Sequence, residues 1–281
     1  MPIKSRGYGW VKDDHDHRDL LFEPSPVVAA NPLPQRIDLR PGFPVAYNQG
    51  LIQSCTANSI AAAIEFAQRK QLLERFRPSR LFIYYNERAL EHTTARDAGA
   101  QLRNGIKTIA KQGVPPELVW PYNTKLSAVT QRPDAAAYRK AIHHRVIAYH
   151  RIIHRDPATA LYLMKSCLAD GYPFLFGFTA FSAFAERQVA RTGILKMPKP
   201  SKERDIGGHC VLAVGYDDLK QRLLVRNSFG PRWGLDGYFW MPFAYILSEL
   251  ASDLWTIRGV TGVATGKPMG KPARAKSVAA R

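Results

Sequence analysis

The stretch Tyr47-Asn48-Gln49-Gly50-Leu51-Ile52-Gln53-Ser54-Cys55-Thr56-Ala57-Asn58-Ser59 passes from a loop into a long helical pattern. Over residues 56–76 the apolar side chains fall at Ile60, Ala63, Ile64, Ala67 and Leu72, with Glu65, Lys70 and Glu74 between them. That spacing predicts an amphipathic helix beginning at or just after Cys55. Unpaired N–H groups and the helix dipole at such an end favour a negative charge. A thiol placed there with a histidine nearby falls below its free pKa of about 8.5, and the thiolate is the attacking form. A buried, inert cysteine is the commoner fate of a lone thiol, so position alone does not decide.

Working outward, further helices are expected over 79–91, 102–111 and 157–168, with Asp156 as N-cap and Gly171 as terminator of the last. Strand-like apolar runs follow at 173–178, 211–216, 223–226, 237–241 and 254–257. Helices first and strands later predict an α+β protein with an antiparallel sheet. Two such halves commonly leave a cleft between them.

Two later segments bear on Cys55. His209 stands in Gly207-Gly208-His209-Cys210-Val211-Leu212-Ala213-Val214-Gly215-Tyr216, where paired glycines permit close backbone approach and His209 is expected to open an apolar strand. Asn227 heads Asn227-Ser228-Phe229-Gly230-Pro231-Arg232-Trp233-Gly234, just past a second apolar strand. A strand end is a rigid mount for a functional group. The order Cys…His…Asn, well apart in sequence, is that of papain-type enzymes.

On these blocks the chain resembles the papain-like cysteine peptidases, and within them a bacterial branch without the long propeptide or disulfides. Gln49 to Cys55 is similar to the family's Gln-Gly-x-x-x-Ser-Cys spacing, and His209 to Tyr216 resembles its His-Ala-Val-x-x-Val-Gly-Tyr strand. Asn227-Ser228-Phe229-Gly230, Trp233-Gly234 and Gly237-Tyr238 resemble its Asn-Ser-Trp-Gly…Trp-Gly…Gly-Tyr block, and Asp38-Leu39-Arg40 the start of its mature domain. The resemblance spans residues 38–258. It implies a two-lobed fold, a helical lobe and a sheet lobe flanking the cleft, and a peptidase acting through an acyl-thioester without a cofactor. It also implies roles: Cys55 as nucleophile, His209 as acid and base, Asn227 as the orienter of the imidazole, and Gln49 as an oxyanion donor. The implied partner is a peptide or protein substrate.

Departures from the pattern are specific. Thr56 stands where an aromatic residue usually follows the nucleophile, Ile52 where many members carry a structural cysteine, and Gln53 where a glycine is usual. Phe229 replaces the tryptophan that shields the His–Asn pair, and Cys210 replaces a small residue after the histidine. None of these removes an implied catalytic group.

The 281 residues carry 40 Lys and Arg against 23 Asp and Glu, a net charge of +17. Residues 1–37, rich in proline, balance five basic against five acidic side chains; residues 259–281 hold five basic and no acidic ones, so twelve positive charges stay in the body. The front segment is expected as an irregular extension packed on the body, across the cleft, and the tail as a disordered basic end. The run Asp13-Asp14-His15-Asp16-His17 reads as a solvated loop rather than a metal site. Basic clusters over 139–155 and 187–204 offer an anionic surface a place to bind.

Three cysteines, Cys55, Cys167 and Cys210, cannot all pair and fit a reducing compartment. With no apolar signal-like run at the N-terminus and no span of about 18 apolar residues, the expectation is a cytoplasmic protein or one exported without a cleavable signal. Ordinary apolar and charged fractions exclude wholesale disorder and a disulfide-stapled miniprotein. Two other functions share these features: an acyl-transfer enzyme on the same triad, such as a transamidase or deamidase, and a non-catalytic basic module that binds nucleic acid or anionic surfaces.

Overall fold

The computed structural model describes residues 7–265. Helix α1, Cys55–Lys70, runs through the centre of the helical half, flanked by α2, Arg80–Leu90, and α3, Leu102–Gln112. Helix α4, Pro157–Ala169, starts on Asp156, whose carboxylate accepts from the Thr159 N–H. Ser79 caps α2 in the same way through the Phe82 N–H. Helix α1 ends at Lys70, short of the expected 76. Leu72 takes a left-handed φ of 58°, and the Glu74 N–H then goes to the Val263 carbonyl rather than to a further helical turn.

In chain order the strands are β1 Trp10–Val11, β2 Arg36–Asp38, β3 Ala100–Gln101, β4 Val146–Arg151, β5 Phe174–Phe181, β6 Asp205–Asp217, β7 Arg222–Arg226, β8 Tyr238–Pro242 and β9 Ala251–Val260. The large sheet is antiparallel with the order β4-β9-β5-β6-β7-β8, and β2 pairs with the far end of β6. β1 and β3 form a separate parallel pair.

The strands read as continuous apolar runs because both faces of the sheet are covered. One face presents Leu175, Cys210, Leu212, Val214, Leu224, Trp255 and Ile257 to Ile60, Ile64 and the rest of the helical half. The other presents Phe174, Phe176, Phe178, Val211, Ala213 and Val225 to Met164, Cys167 and Leu168 of α4. Alternate residues of each strand thus belong to two different cores, as the two-residue period of a strand demands.

Two expectations change. His209 does not open its strand but lies inside β6, because Asp205, Gly207 and Gly208 already pair with Phe181, Ala180 and Thr179 of β5. The 139–155 run is not all solvated basic surface: it contains edge strand β4, and Arg151 at its end is drawn into ion pairs with Asp19 and Asp253. The sheet continues to Val260, and Thr265 still donates to the Leu72 carbonyl. Of the expected disordered end, 259–281, residues 259–265 are instead paired to the body, and 266 onward lies outside the described residues.

Candidate active site

Cys55 is the first residue of α1, on a bend where Ser54 supplies no side-chain cap. Across from it β6 carries His209, and the chain leaving β7 carries Asn227. The two halves are stitched at this level by the Ser59 hydroxyl, which donates to the Cys210 carbonyl at 3.1 Å. The 47–49 loop is joined to the 228–230 segment by backbone bonds: Gln49 N–H to the Ser228 carbonyl at 2.9 Å, and Gly230 N–H to the Tyr47 carbonyl at 2.7 Å. Distant Gln49 and Asn227 thereby become neighbours. Buried Arg226 fixes the approach to this loop, its guanidinium donating to the Pro44 and Val45 carbonyls at 2.8 and 2.9 Å.

The structure sets Cys55 against the backbone of Cys210, the residue after His209, and Gln49 against Ser228, the residue after Asn227. His209 Nε2 lies 2.8 Å from Asn227 Oδ1, and both are buried. That oxygen also accepts the Ser228 N–H at 2.8 Å, which keeps the amide from turning. Phe229 stacks on the imidazole with ring centroids 4.8 Å apart and 27° between planes. Trp233 then meets Phe229 edge-on at 5.6 Å. The shielding position at 229 therefore keeps an aromatic ring over the His–Asn pair, and the bond beneath it is protected from water.

Gln49 is fully buried and its amide is oriented from both ends. Ser228 Oγ donates to Oε1 at 2.5 Å, leaving Nε2 to donate to the Ile52 carbonyl at 2.9 Å and the Gly7 carbonyl at 2.8 Å. Its own carbonyl accepts from Tyr122 Oη at 2.9 Å, and Tyr122 in turn lies 2.6 Å from Ser54 Oγ. Beside the thiol, the Gln53 N–H is held by the Asp97 carboxylate at 3.0 Å. Ser228, Tyr122 and Asp97 are the supports that the sequence does not flag. Ser228 adjoins Asn227 in a recognised block, but nothing in the sequence pairs Tyr122 or Asp97 with this loop.

Cys55 departs from expectation in one respect. Its thiol is pushed up to about 11, chiefly by burial, although N–H groups of Cys210, Gly9 and Thr56 pull the other way. The helix terminus is present, but no water reaches the sulfur: Cys55 and His209 are both 0% exposed. The cause is the front segment. The Gly9 carbonyl accepts from the Ala100 N–H at 2.8 Å, and β1 pairs with β3. Tyr8 sets its ring edge-on to His209 at 5.6 Å and to Phe229 at 6.3 Å. Trp10 lies against Gly177 and Gly208, where a Cβ on either would overlap it.

This strap, residues 7–22, is anchored beyond the site. Asp19 pairs with Arg103 and with Arg151, the latter at 2.8 Å. Asp16 meets Lys107 at 3.4 Å, and Asp13 is buried, 7% exposed. The 13–17 run is a loop with Asp14, His15 and His17 exposed, as expected, but Asp13 and Asp16 turn to the body and dock the strap. Cys167, also buried, is pushed up to about 12 by desolvation, and Cys210 is raised by the same cause. No helix among the described residues is long and apolar enough to cross a membrane.

A helical half bearing a cysteine at a helix start, set against an antiparallel sheet bearing a His–Asn pair, defines the cysteine-peptidase class. The model of the papain family cysteine proteases matches residues 33–245, and the chain belongs to that family. Among its relatives is an uncharacterised peptidase C1-like protein of Acanthamoeba polyphaga mimivirus, 43% identical over 277 residues, covering 92% of this chain and 88% of the relative. Among solved structures, xylellain, a cysteine protease from Xylella fastidiosa, superposes with a TM-score of 0.82 at 38% identity, covering 92% of this chain and 97% of that one. Procathepsin B S9 from Trypanosoma congolense shares the fold at a TM-score of 0.71 and 16% identity, over 93% and 88% of the two chains.

Proposed function

We propose that this cysteine peptidase hydrolyses peptide bonds through Cys55, His209, Asn227 and Gln49, and that the strap within residues 1–37, residues 7–22, holds it closed. The observation that carries the reading is the donor geometry around Gln49. Its Nε2 points into the cleft and is taken by the Gly7 carbonyl of the strap. A substrate carbonyl entering the same position would meet that donor together with the Cys55 N–H.

The chemistry follows from these positions. The Cys55 thiolate attacks the substrate carbonyl carbon, and the carbonyl oxygen takes up negative charge facing Gln49 Nε2. One such donor contributes about 3–4 kcal/mol to the transition state in other hydrolases. Because Nε2 of His209 is engaged by Asn227, proton traffic with the thiol and the leaving amine falls to Nδ1. His209 delivers its proton to the amine as the C–N bond breaks, leaving a thioester on Cys55. Water then attacks the thioester carbon, His209 takes its proton, and the acid leaves with the thiol restored. Hydrolysis of the peptide bond is the net result.

In the closed form, burial raises the thiol and favours its neutral state at pH 7. Lifting the strap admits water, lowers the thiol and frees Gln49. A chain lacking residues 1–23 keeps β2 and its pairing with β6. A thiol-reactive peptidyl epoxide is expected to alkylate Cys55 in that chain at least about tenfold faster than in the full chain, and a His209→Ala change should remove the gain. Reaction of Cys167 or Cys210 as fast as Cys55, read by peptide mass mapping, would refute the nucleophile assignment. Equal Cys55 rates in the full and shortened chains would refute the cover.

A further inference from the structure

Two carboxyl groups lie where the strap meets the sheet. Asp13, on the strap, is 7% exposed, and Asp253, on β9, is 2% exposed. The Asp13 N–H donates to Asp253 Oδ2 at 2.7 Å, and Trp10 Nε1 donates to the same oxygen at 3.2 Å. The Asp13 carboxylate accepts from the Arg103 N–H at 3.0 Å and from Trp255 Nε1 at 2.8 Å. Asp253 holds a left-handed φ of 57°, a backbone state uncommon outside glycine, asparagine and aspartate.

The positive charge near this pair is shared with other carboxylates. The Arg103 guanidinium binds Asp19 and comes within 3.8 Å of Asp16. Arg151 divides itself between Asp19 at 2.8 Å and Asp253 Oδ1 at 3.4 Å. Lys12 on the strap and Cys210 on β6 are the other titratable groups that feel the pair. Two buried carboxylates with so little neutralising charge cannot both ionise cheaply. Burial first, and then the charge of Asp253, raise Asp13 to about 6; burial likewise raises Asp253.

We propose that Asp13 and Asp253 form a proton-dependent latch, so that the strap seats with a proton held by the pair and lifts more readily once that proton is lost. The proposal rests on the reading of the strap as the cover of the Cys55 site. The sign follows from linkage. Asp13 in the lifted strap is solvated, with an ordinary carboxyl pKa, so the docked form binds the extra proton. Acid therefore favours docking. The preference falls away as the pH rises through about 6 and is then constant. The latch opens toward neutral pH.

Hydrogen exchange followed by mass spectrometry tests this on the full chain carrying Cys55→Ala, which cannot cut itself. After correction for intrinsic exchange, the opening constant of the strap peptide is expected to rise about tenfold from pH 5 to pH 7 and to level off above that. A core peptide within α1 should show no such rise. Asp13→Asn should flatten the rise to less than about twofold. Asp253→Asn, which leaves the strap side chains and the burial of Asp13 intact, should reduce the rise without abolishing it, by removing the like charge. A flat profile in the parent chain overturns the latch, as does a full tenfold rise retained in both variants. Epoxide labelling of Cys55 in the chain with its native thiol, compared at each pH with free cysteine, separates the two readings. If the strap opens with pH and labelling does not follow, the latch stands and the cover fails.

Discussion

Around His209 the contacts are aromatic and neutral: Phe229 stacked above it, Phe178 and Phe184 at 5.8 and 5.7 Å, and the uncharged amide of Asn227 at its edge. Beyond Tyr8, Trp10 and Phe22, which join that packing, the strap makes contacts of another kind. Asp13, Asp16 and Asp19 reach Arg103, Lys107, Arg151 and the Asp253 carboxyl, with backbone pairing only at Trp10–Val11 and near Leu21. The cleft wall is a packed core that happens to hold polar atoms. The cover is held by charge and hydrogen bonds in addition to the packing of Tyr8, Trp10 and Phe22. The first kind of contact is short-ranged and indifferent to pH, whereas the second responds to protons and to the loss of a single side chain.

Three changes probe that contrast. The largest effect is expected from Gln49→Ala, which alters the wall. In the chain without residues 1–23, kcat/KM on a peptide substrate should fall about 100- to 1000-fold, through loss of the proposed oxyanion donor, and the melting midpoint should also fall, because Ser228 Oγ and the Ile52 carbonyl lose a buried partner. Next comes Asp19→Ala, which strikes the cover alone. It leaves Arg103 and Arg151 without their shared partner, and breaking a buried pair costs about 3–5 kcal/mol. Exchange of the strap amides should quicken by roughly 100-fold or more, while amides of α1 keep their protection. The smallest effect is that of salt. Raising sodium chloride from about 0.05 to 0.5 M should speed strap exchange by less than about threefold, because buried pairs are poorly screened. A tenfold response would mean that the anchoring pairs are solvated and that the two regions differ less than their contacts indicate.

Much of the fold is legible in the residues. The apolar spacing of Ile60, Ala63, Ile64 and Ala67 marks α1, and Ser79 and Asp156 mark the starts of α2 and α4. β4 lies within the basic 139–155 run, but its place at the sheet edge beside β9 is not encoded locally. The extra length of β6 escapes, since the strand is expected to open at His209, although the close approach that Gly207 and Gly208 allow is met by Tyr8 and Trp10. Of the site, Cys55, His209, Asn227 and Gln49 are legible from motif and order. Their supports are not: Tyr122 and Asp97 act through contacts that no local pattern encodes. The acids at 13–19 carry no sign of their partners, for Arg103, Arg151 and Asp253 lie far along the chain.

The sequence by itself determined the chemistry available: a thiol at a helix start, an imidazole in an apolar strand, an amide after the next strand, and the family they belong to. Local periodicity and capping are properties of adjacent residues, so they survive in one dimension. Only the tertiary structure decided whether that chemistry is exposed. Cys55 sits on a helix end suited to a thiolate, yet its thiol is raised, because a segment more than forty residues earlier in the chain displaces the water above it. Desolvation depends on everything that packs around a group, and that is fixed by contacts between segments remote in sequence.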